Sequence, residues 1–145
     1  MEQIRIGKTN LKVSRLAYGC WRIAGTWNAR KVTAKAREAG VKAVLNAHEA
    51  GFTFFDLADI YCEGVSESLF GLALKQSGAL AKSAVIATKC GIRIPENSEP
   101  YRYDLSGDYI VQSCEQSLQR MGVDSIDIFQ LHQRGTTVCS KSEQL

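Results

Sequence analysis

The chain of 145 residues holds only two prolines, and both fall in one polar stretch, residues 91–107. Elsewhere no ring removes a backbone N–H, so helices and sheet ladders can run uninterrupted. Long apolar runs are missing as well. None approaches the ~18 residues that crossing a bilayer requires, and the opening MEQIRIGKTN lacks the apolar centre of a secretory leader. No membrane partner is expected, and the expected location is cytoplasmic. The formal net charge is only +3, and Lys and Arg are scattered without a run of five or interleaved aromatics. That pattern argues against nucleic acid. The five cysteines (Cys20, Cys62, Cys90, Cys114 and Cys139) are odd in number and contain no Cys-x-x-Cys pair. Reduced thiols and no metal site are expected, with Cys20, Cys62 and Cys90 read as thiols lining a pocket. Phosphate-cradling loops are absent too. Gly19-Cys-Trp-Arg-Ile-Ala-Gly25 does not supply a Gly-x-Gly-x-x-Gly turn, and there is no Gly-x-x-x-x-Gly-Lys.

What remains is a regular alternation. Residues 4–6 and 11–13 alternate apolar with polar around Gly7-Lys8-Thr9-Asn10, which predicts an N-terminal β-hairpin. A short strand is expected at 16–19. A helix is expected over 32–49, with Val41, Val44, Leu45 and His48 on one face and Gly51 closing it. The stretch 52–56 reads as the next strand. Ser66 is placed to cap a helix that runs through Leu69, Phe70, Ala73 and Leu74 to about residue 77. A buried strand is expected at 85–89, a polar loop at 91–107, and a helix at 108–121 with Ile110, Val111, Cys114 and Leu118 on one face. A fourth strand follows at 126–131.

Strand and helix in alternation imply a parallel sheet with right-handed crossovers. Two architectures fit: a doubly wound open sheet, or part of a (β/α)8 barrel. In either, the loops at the carboxyl ends of the strands line the working face. Asp56, Lys89 and His132 each close a predicted strand, and Tyr61 lies just past the second. A free tyrosine ionises near pH 10, too high for easy proton work at neutrality. A neighbouring ammonium lowers that value, and a carboxylate keeps the ammonium charged and in place. An imidazole can orient a carbonyl oxygen beside the phenol. Together these groups form a general-acid apparatus for reducing a C=O bond. Asp59 and Glu63 are expected in a solvated loop, Glu67 as a favourable charge at a helix N-terminus, and His48 as a packed or surface histidine. Trp27 stands in the loop after Trp21.

GFTFFDLADIY, residues 51–61, resembles the first signature of the aldo-keto reductase family, and Glu67-Ser-Leu-Phe-Gly71 is similar to its ending. Ile86-Ala-Thr-Lys89 and Ile126-Asp-Ile-Phe-Gln-Leu-His132 resemble the strands that carry the family's lysine and histidine. Residues 4–13 resemble the hairpin that plugs the barrel floor. The resemblance implies an α/β fold, the N-terminal half of a (β/α)8 TIM barrel preceded by a β-hairpin. It implies Tyr61 as the acid, Lys89 and Asp56 as its tuning pair, His132 as the carbonyl orienter, and Gly19, Trp21 and Asp56 at the cofactor. It further implies NADPH and a small carbonyl substrate. Leu57 departs from the small or polar residue the family usually has after the aspartate, a change expected to tighten local packing.

The resemblance covers residues 1 to about 134. A single partial domain is expected: a hairpin at 1–14, the first four barrel strands over 15–134, and an atypical tail at 135–145. A full barrel takes about 250 residues, and by resemblance most of the cofactor site lies in the other half. The alternative expectation is a truncated, catalytically inactive half-barrel that associates with itself or another chain through exposed sheet edges.

Overall fold

A computed structural model describes residues 1–95 and 100–132 of the chain. The N-terminal hairpin pairs β1 (Gln3–Arg5) with β2 (Lys12–Ser14), Ile4 opposite Val13. Next come β3 (Ala17–Gly19), α1 (Ala34–Glu49), β4 (Phe54–Asp56), α2 (Val65–Gln76), a short α3 (Gly78–Ser83) and β5 (Val85–Cys90). A two-stranded excursion, β6 (Ile92–Arg93) with β7 (Arg102–Tyr103), precedes α4 (Gly107–Met121) and β8 (Ile128–Leu131).

Strands β3, β4, β5 and β8 form one sheet in that order, every pair parallel. Gly19 stands opposite Asp56, Asp56 opposite Ala87, and Lys89 opposite Gln130. The ladder continues past the strand ends, because Cys20 N–H donates to the Asp56 carbonyl and Asp59 N–H to the Lys89 carbonyl. The carboxyl ends of β3, β4 and β5 are thereby laced together, and the His132 N–H ties the end of β8 to the Cys90 carbonyl. The hairpin is tied to the opposite end: Ser14 N–H donates to Thr53 Oγ1 at 2.8 Å, and Thr53 N–H returns to Ser14 Oγ at 3.0 Å.

Helices α1, α2 and α4 cover one face. Val41 and Val44 of α1, Leu69, Phe70 and Ala73 of α2, and Met121 of α4 pack on Phe55 and Ile86. Phe55 and Phe70 meet ring to ring at 5.1 Å. Because side chains alternate across a strand, Phe55 points into this core while Phe54 and Asp56 face the other side and are only half-buried. Among the described residues that second face has no helix layer, and in the edge strand β8 Gln130 and Leu131 are exposed.

Several details depart from the sequence reading. Ser66 does not cap α2. The helix starts from Gly64, whose φ of +84° suits a residue without a side chain, and the Ser66 hydroxyl is buried without a partner among the described residues. Helix α4 buries Ser113, Ser117 and Met121 rather than Val111, which is 58% exposed. Small serines allow α4 to lie close to its neighbours, so the inward face follows side-chain size and not hydropathy alone. The expected loop 91–107 carries the β6–β7 pairing, fastened by an Arg93–Asp104 ion pair at 2.6 Å. Cys20, Cys62 and Cys90 are buried free thiols within the fold rather than pocket-lining groups. The expected tail at 135–145, with Cys139, lies outside the described residues.

Helix α2 lies close against the end of α4 at Gly71, where an added Cβ would collide with the main chain of Met121, carbonyl oxygen first. Backbone yields less than a side chain, so Gly71→Ala should cost about 1–3 kcal/mol in urea unfolding. Gly78→Ala, where a Cβ meets open space, should stay within about 0.5 kcal/mol of the parent.

Candidate functional site

The site grows from the carboxyl end of the sheet. Lys89 projects from β5, and its ammonium donates to Asp56 Oδ1 at 2.7 Å and to the Leu57 carbonyl at 2.6 Å. The lysine side chain is 15% exposed and the aspartate 35%. A partly buried ion pair with a second carbonyl acceptor is held more firmly than a surface pair, because solvent does not compete for every donor. The register explains how the pair forms. Asp56 lies opposite Ala87, two residues before Lys89 on the same face of the neighbouring strand. Leu57 itself is fully buried in the core, which fixes the carbonyl that receives the second bond.

Tyr61 follows in the turns that lead from β4 into α2. Cys62 and Glu63 adopt positive φ there, 50° and 54°, and Ser66 N–H donates to the Tyr61 carbonyl at 3.3 Å. The folded-back chain places the Tyr61 ring, 8% exposed, with Lys89 Nζ 5.1 Å from its centroid. His132 stands just past β8. Its N–H donates to the Cys90 carbonyl at 2.6 Å, and its ring lies edge-on to Tyr61 with centroids 5.9 Å apart. Asp56, Tyr61, Lys89 and His132, drawn from three strand ends, therefore meet in one place.

Their electrostatics favour a neutral imidazole. Burial, then the positive charge of Lys89, depresses the His132 pKa below its ordinary value, with Asp56 opposing. Its Nδ1 is buried and has no hydrogen-bond partner among the described residues. A neutral ring beside a phenol can offer one N–H to an incoming oxygen without competing as a second cation.

Gly19 and Trp21 lie at the neighbouring strand end. A Cβ on Gly19 would meet nothing within 4 Å. Trp21 is 50% exposed and packs edge-to-face on Trp27 at 4.7 Å, with the Arg22 guanidinium over Trp27. Trp27 therefore serves as a wall for Trp21 rather than standing alone in its loop. His48, by contrast, is far along the chain on α1 and engages Ser83 Oγ at 2.9 Å. Burial raises the Cys20 thiol pKa far above its ordinary range and that of Cys90 to about 11, so both stay protonated.

Sequence reasoning missed a second cluster behind the strand. Glu67 is fully buried, accepting from Thr88 Oγ1 at 2.6 Å and from Arg120 Nε at 2.6 Å. This is an internal ion pair joining α2, β5 and α4, not merely a charge at a helix start. Arg120 also donates to Ser117 Oγ at 3.1 Å. Asp59 is half-buried beside this pair rather than solvated, and its Oδ1 has no partner among the described residues. Glu63 is exposed, as expected. The available signal was an acid separated by one serine from the apolar Leu69-Phe-Gly-Leu72 run, together with an arginine three residues beyond a helical serine.

The family model described as the Aldo/keto reductase family matches residues 15–139. The chain is 35% identical over 134 residues to the 6-dehydroglucose reductase of Novosphingobium aromaticivorans, covering 88% of this chain and 40% of that protein. It is 32% identical over 142 residues to the NADH-specific methylglyoxal reductase of Escherichia coli, covering 91% of this chain and 42% of that protein. Among solved structures it resembles an aldo-keto reductase from Bacillus halodurans in its holo form. The TM-score is 0.73 at 30% identity, covering 90% of this chain and 40% of that one. The chain thus spans about two fifths of the length of these relatives, and its four parallel strands with alternating helices correspond to part of their (β/α)8 barrel. The chain belongs to the aldo/keto reductase family.

Proposed function

We propose that this chain carries the proton-donating half of an NADPH-dependent reductase for aldehydes or ketones. The single observation that carries the reading is the approach of Lys89 to the Tyr61 ring, with the ammonium held by Asp56. In this reading Tyr61 donates its phenolic proton to the carbonyl oxygen. Lys89 stabilises the negative charge left on the phenol, and Asp56 keeps the lysine charged and aimed. His132, neutral, fixes the carbonyl oxygen beside the phenol. The π bond of the carbonyl is replaced by one C–H and one O–H bond, and the C–O single bond remains.

In this reading the rim would receive a nicotinamide. Among the described residues open space lies over Gly19, Trp21 two residues on is exposed, and Asp56 stands opposite Gly19 on β4. These three residues would hold the ring. When bound, the reduced nicotinamide supplies the hydride to the carbonyl carbon. The choice of phosphate-bearing cofactor rests on the family resemblance, and the printed name of the Escherichia coli relative specifies NADH. The relatives' names also point to small oxygen-rich carbonyl compounds, a dehydroglucose and methylglyoxal. Residues 1–14, as a hairpin closing the sheet's far end, and 15–134, as four barrel strands, form one unit in this reading.

A second reading is favoured by the exposure of β8, the edge strand in which Leu131 is 51% exposed. Unpaired strand edges seek partners, so the chain would associate through them with itself or with another polypeptide and be catalytically silent alone.

Tyr61→Phe should lower carbonyl reduction by at least about 100-fold while leaving the thermal midpoint unchanged. Retained turnover would remove Tyr61 from its role. Titrating NADPH and NADH into the 145-residue chain, followed by cofactor fluorescence and light scattering, separates the two readings. Saturable binding by a monomer supports the reductase, and oligomers without binding support the associating half-barrel.

A further inference from the structure

Behind Lys89 lies a group that the proton-donation scheme does not use. The Asp59 N–H donates to the Lys89 carbonyl at 3.0 Å, so the two residues are fastened backbone to backbone at the strand end. The Asp59 carboxyl is turned among charges. Glu67 of α2 and Arg120 of α4 act on it most strongly after burial, and Lys89 of β5 also acts on it. Tyr109 of α4 and Cys90 of β5 lie within its electrostatic reach. Arg93 of β6, Arg102 of β7 and Glu63 of its own loop share with it the rim of a pocket of about 330 Å³. Arg93 is engaged by Asp104 and Arg120 by Glu67, and Glu63 accepts from the Ala29 N–H.

The balance of that cluster is uneven. Both Glu67 oxygens are satisfied, one by Thr88 and one by Arg120, while the Asp59 carboxyl has a backbone bond from Ile60 and its Oδ1 is buried with no donor among the described residues. Two carboxylates and one guanidinium in a poorly solvated space favour retaining one proton on the less satisfied acid. We propose that Asp59 is a positioning residue for the reduction, holding the one proton of the Asp59–Glu67–Arg120 cluster and setting, through Lys89, how readily Tyr61 gives up its own. The idea rests on the role proposed for Tyr61.

The physical consequence has a definite sign. Burial and the neighbouring Glu67 raise the Asp59 pKa from 3.8 to about 7. The folded chain therefore binds this proton more tightly than the unfolded chain, and stability contributed at low pH is lost as pH rises between those values, then levels off. Above about pH 7 the new anion shares the field of Lys89 with Asp56. A phenolate forming at Tyr61 is then less stabilised, and proton donation slows. Asp59 lines the pocket of about 330 Å³, and Tyr61, Lys89 and His132 are not among its lining residues.

The test compares the wild-type chain, Asp59→Asn, and Glu63→Gln as a control on the same pocket rim. Thermal midpoints and carbonyl reduction are followed from about pH 4.5 to 8.5. The midpoint difference between Asp59→Asn and wild type should widen towards pH 7 and then stay flat. The wild type and Glu63→Gln should lose kcat several-fold across about pH 7, and Asp59→Asn should lack that step. Parallel midpoint curves for wild type and Asp59→Asn overturn the shared proton. Identical pH–rate profiles overturn the action through Lys89. Absence of turnover in every chain, with the midpoint divergence intact, overturns the link to reduction together with the proposed activity and leaves the shared proton standing.

Discussion

The structure turns on one ammonium group. Lys89 leaves β5 where water is scarce, and an isolated cation there would be costly. Asp56 on the neighbouring strand and the Leu57 carbonyl accept it at 2.7 and 2.6 Å. Those two acceptors are consecutive residues, so the end of β4 is built as a socket for β5. Everything else at the rim is placed relative to that socket. Tyr61 folds back over the lysine, His132 closes against Tyr61, and Gly19 leaves space one strand away. Remove the pairing, and the lysine would seek water through the open side of the sheet.

The same strand also carries a second set of charges with the opposite orientation. Thr88 faces the helices and bonds Glu67, while Lys89 faces the rim. The alternation of side chains across a strand therefore puts two ionic clusters one residue apart. Inverting the register would exchange them and bury the lysine among helices, so Glu67 and Arg120 help specify the same pairing that serves Lys89. Gly71 permits the close helix contact on which this outer cluster depends.

Much of this was legible in the residues themselves. The strands and the three main helices follow from periodicity, because half-buried strands and amphipathic helices repeat at different intervals. Asp56, Tyr61, Lys89 and His132 could be grouped before any coordinates, because parallel strands bring their carboxyl ends together. What escaped was set by packing. Ser113 and Ser117 are polar in sequence yet buried, because α4 needed small residues and Arg120 needed an acceptor. Ser66 has the chemistry of a helix cap, but the chain turns through Gly64 before reaching it. The β6–β7 strands of two residues each are too short for a pattern to register, and their fastening by Arg93 with Asp104 and Tyr109 is tertiary. Asp59 looked like a loop acid because its burial depends on a helix that arrives some fifty residues later.

The central claim is spatial: Lys89 sits beneath the Tyr61 ring because Asp56 holds it there. Nuclear Overhauser spectroscopy of the selectively labelled chain measures this directly. The account predicts cross-peaks between the Lys89 Hε protons and the Tyr61 ring protons, weakened or lost in Asp56→Asn while the core resonances persist. A folded chain with no such cross-peaks, or with cross-peaks indifferent to Asp56, would contradict it.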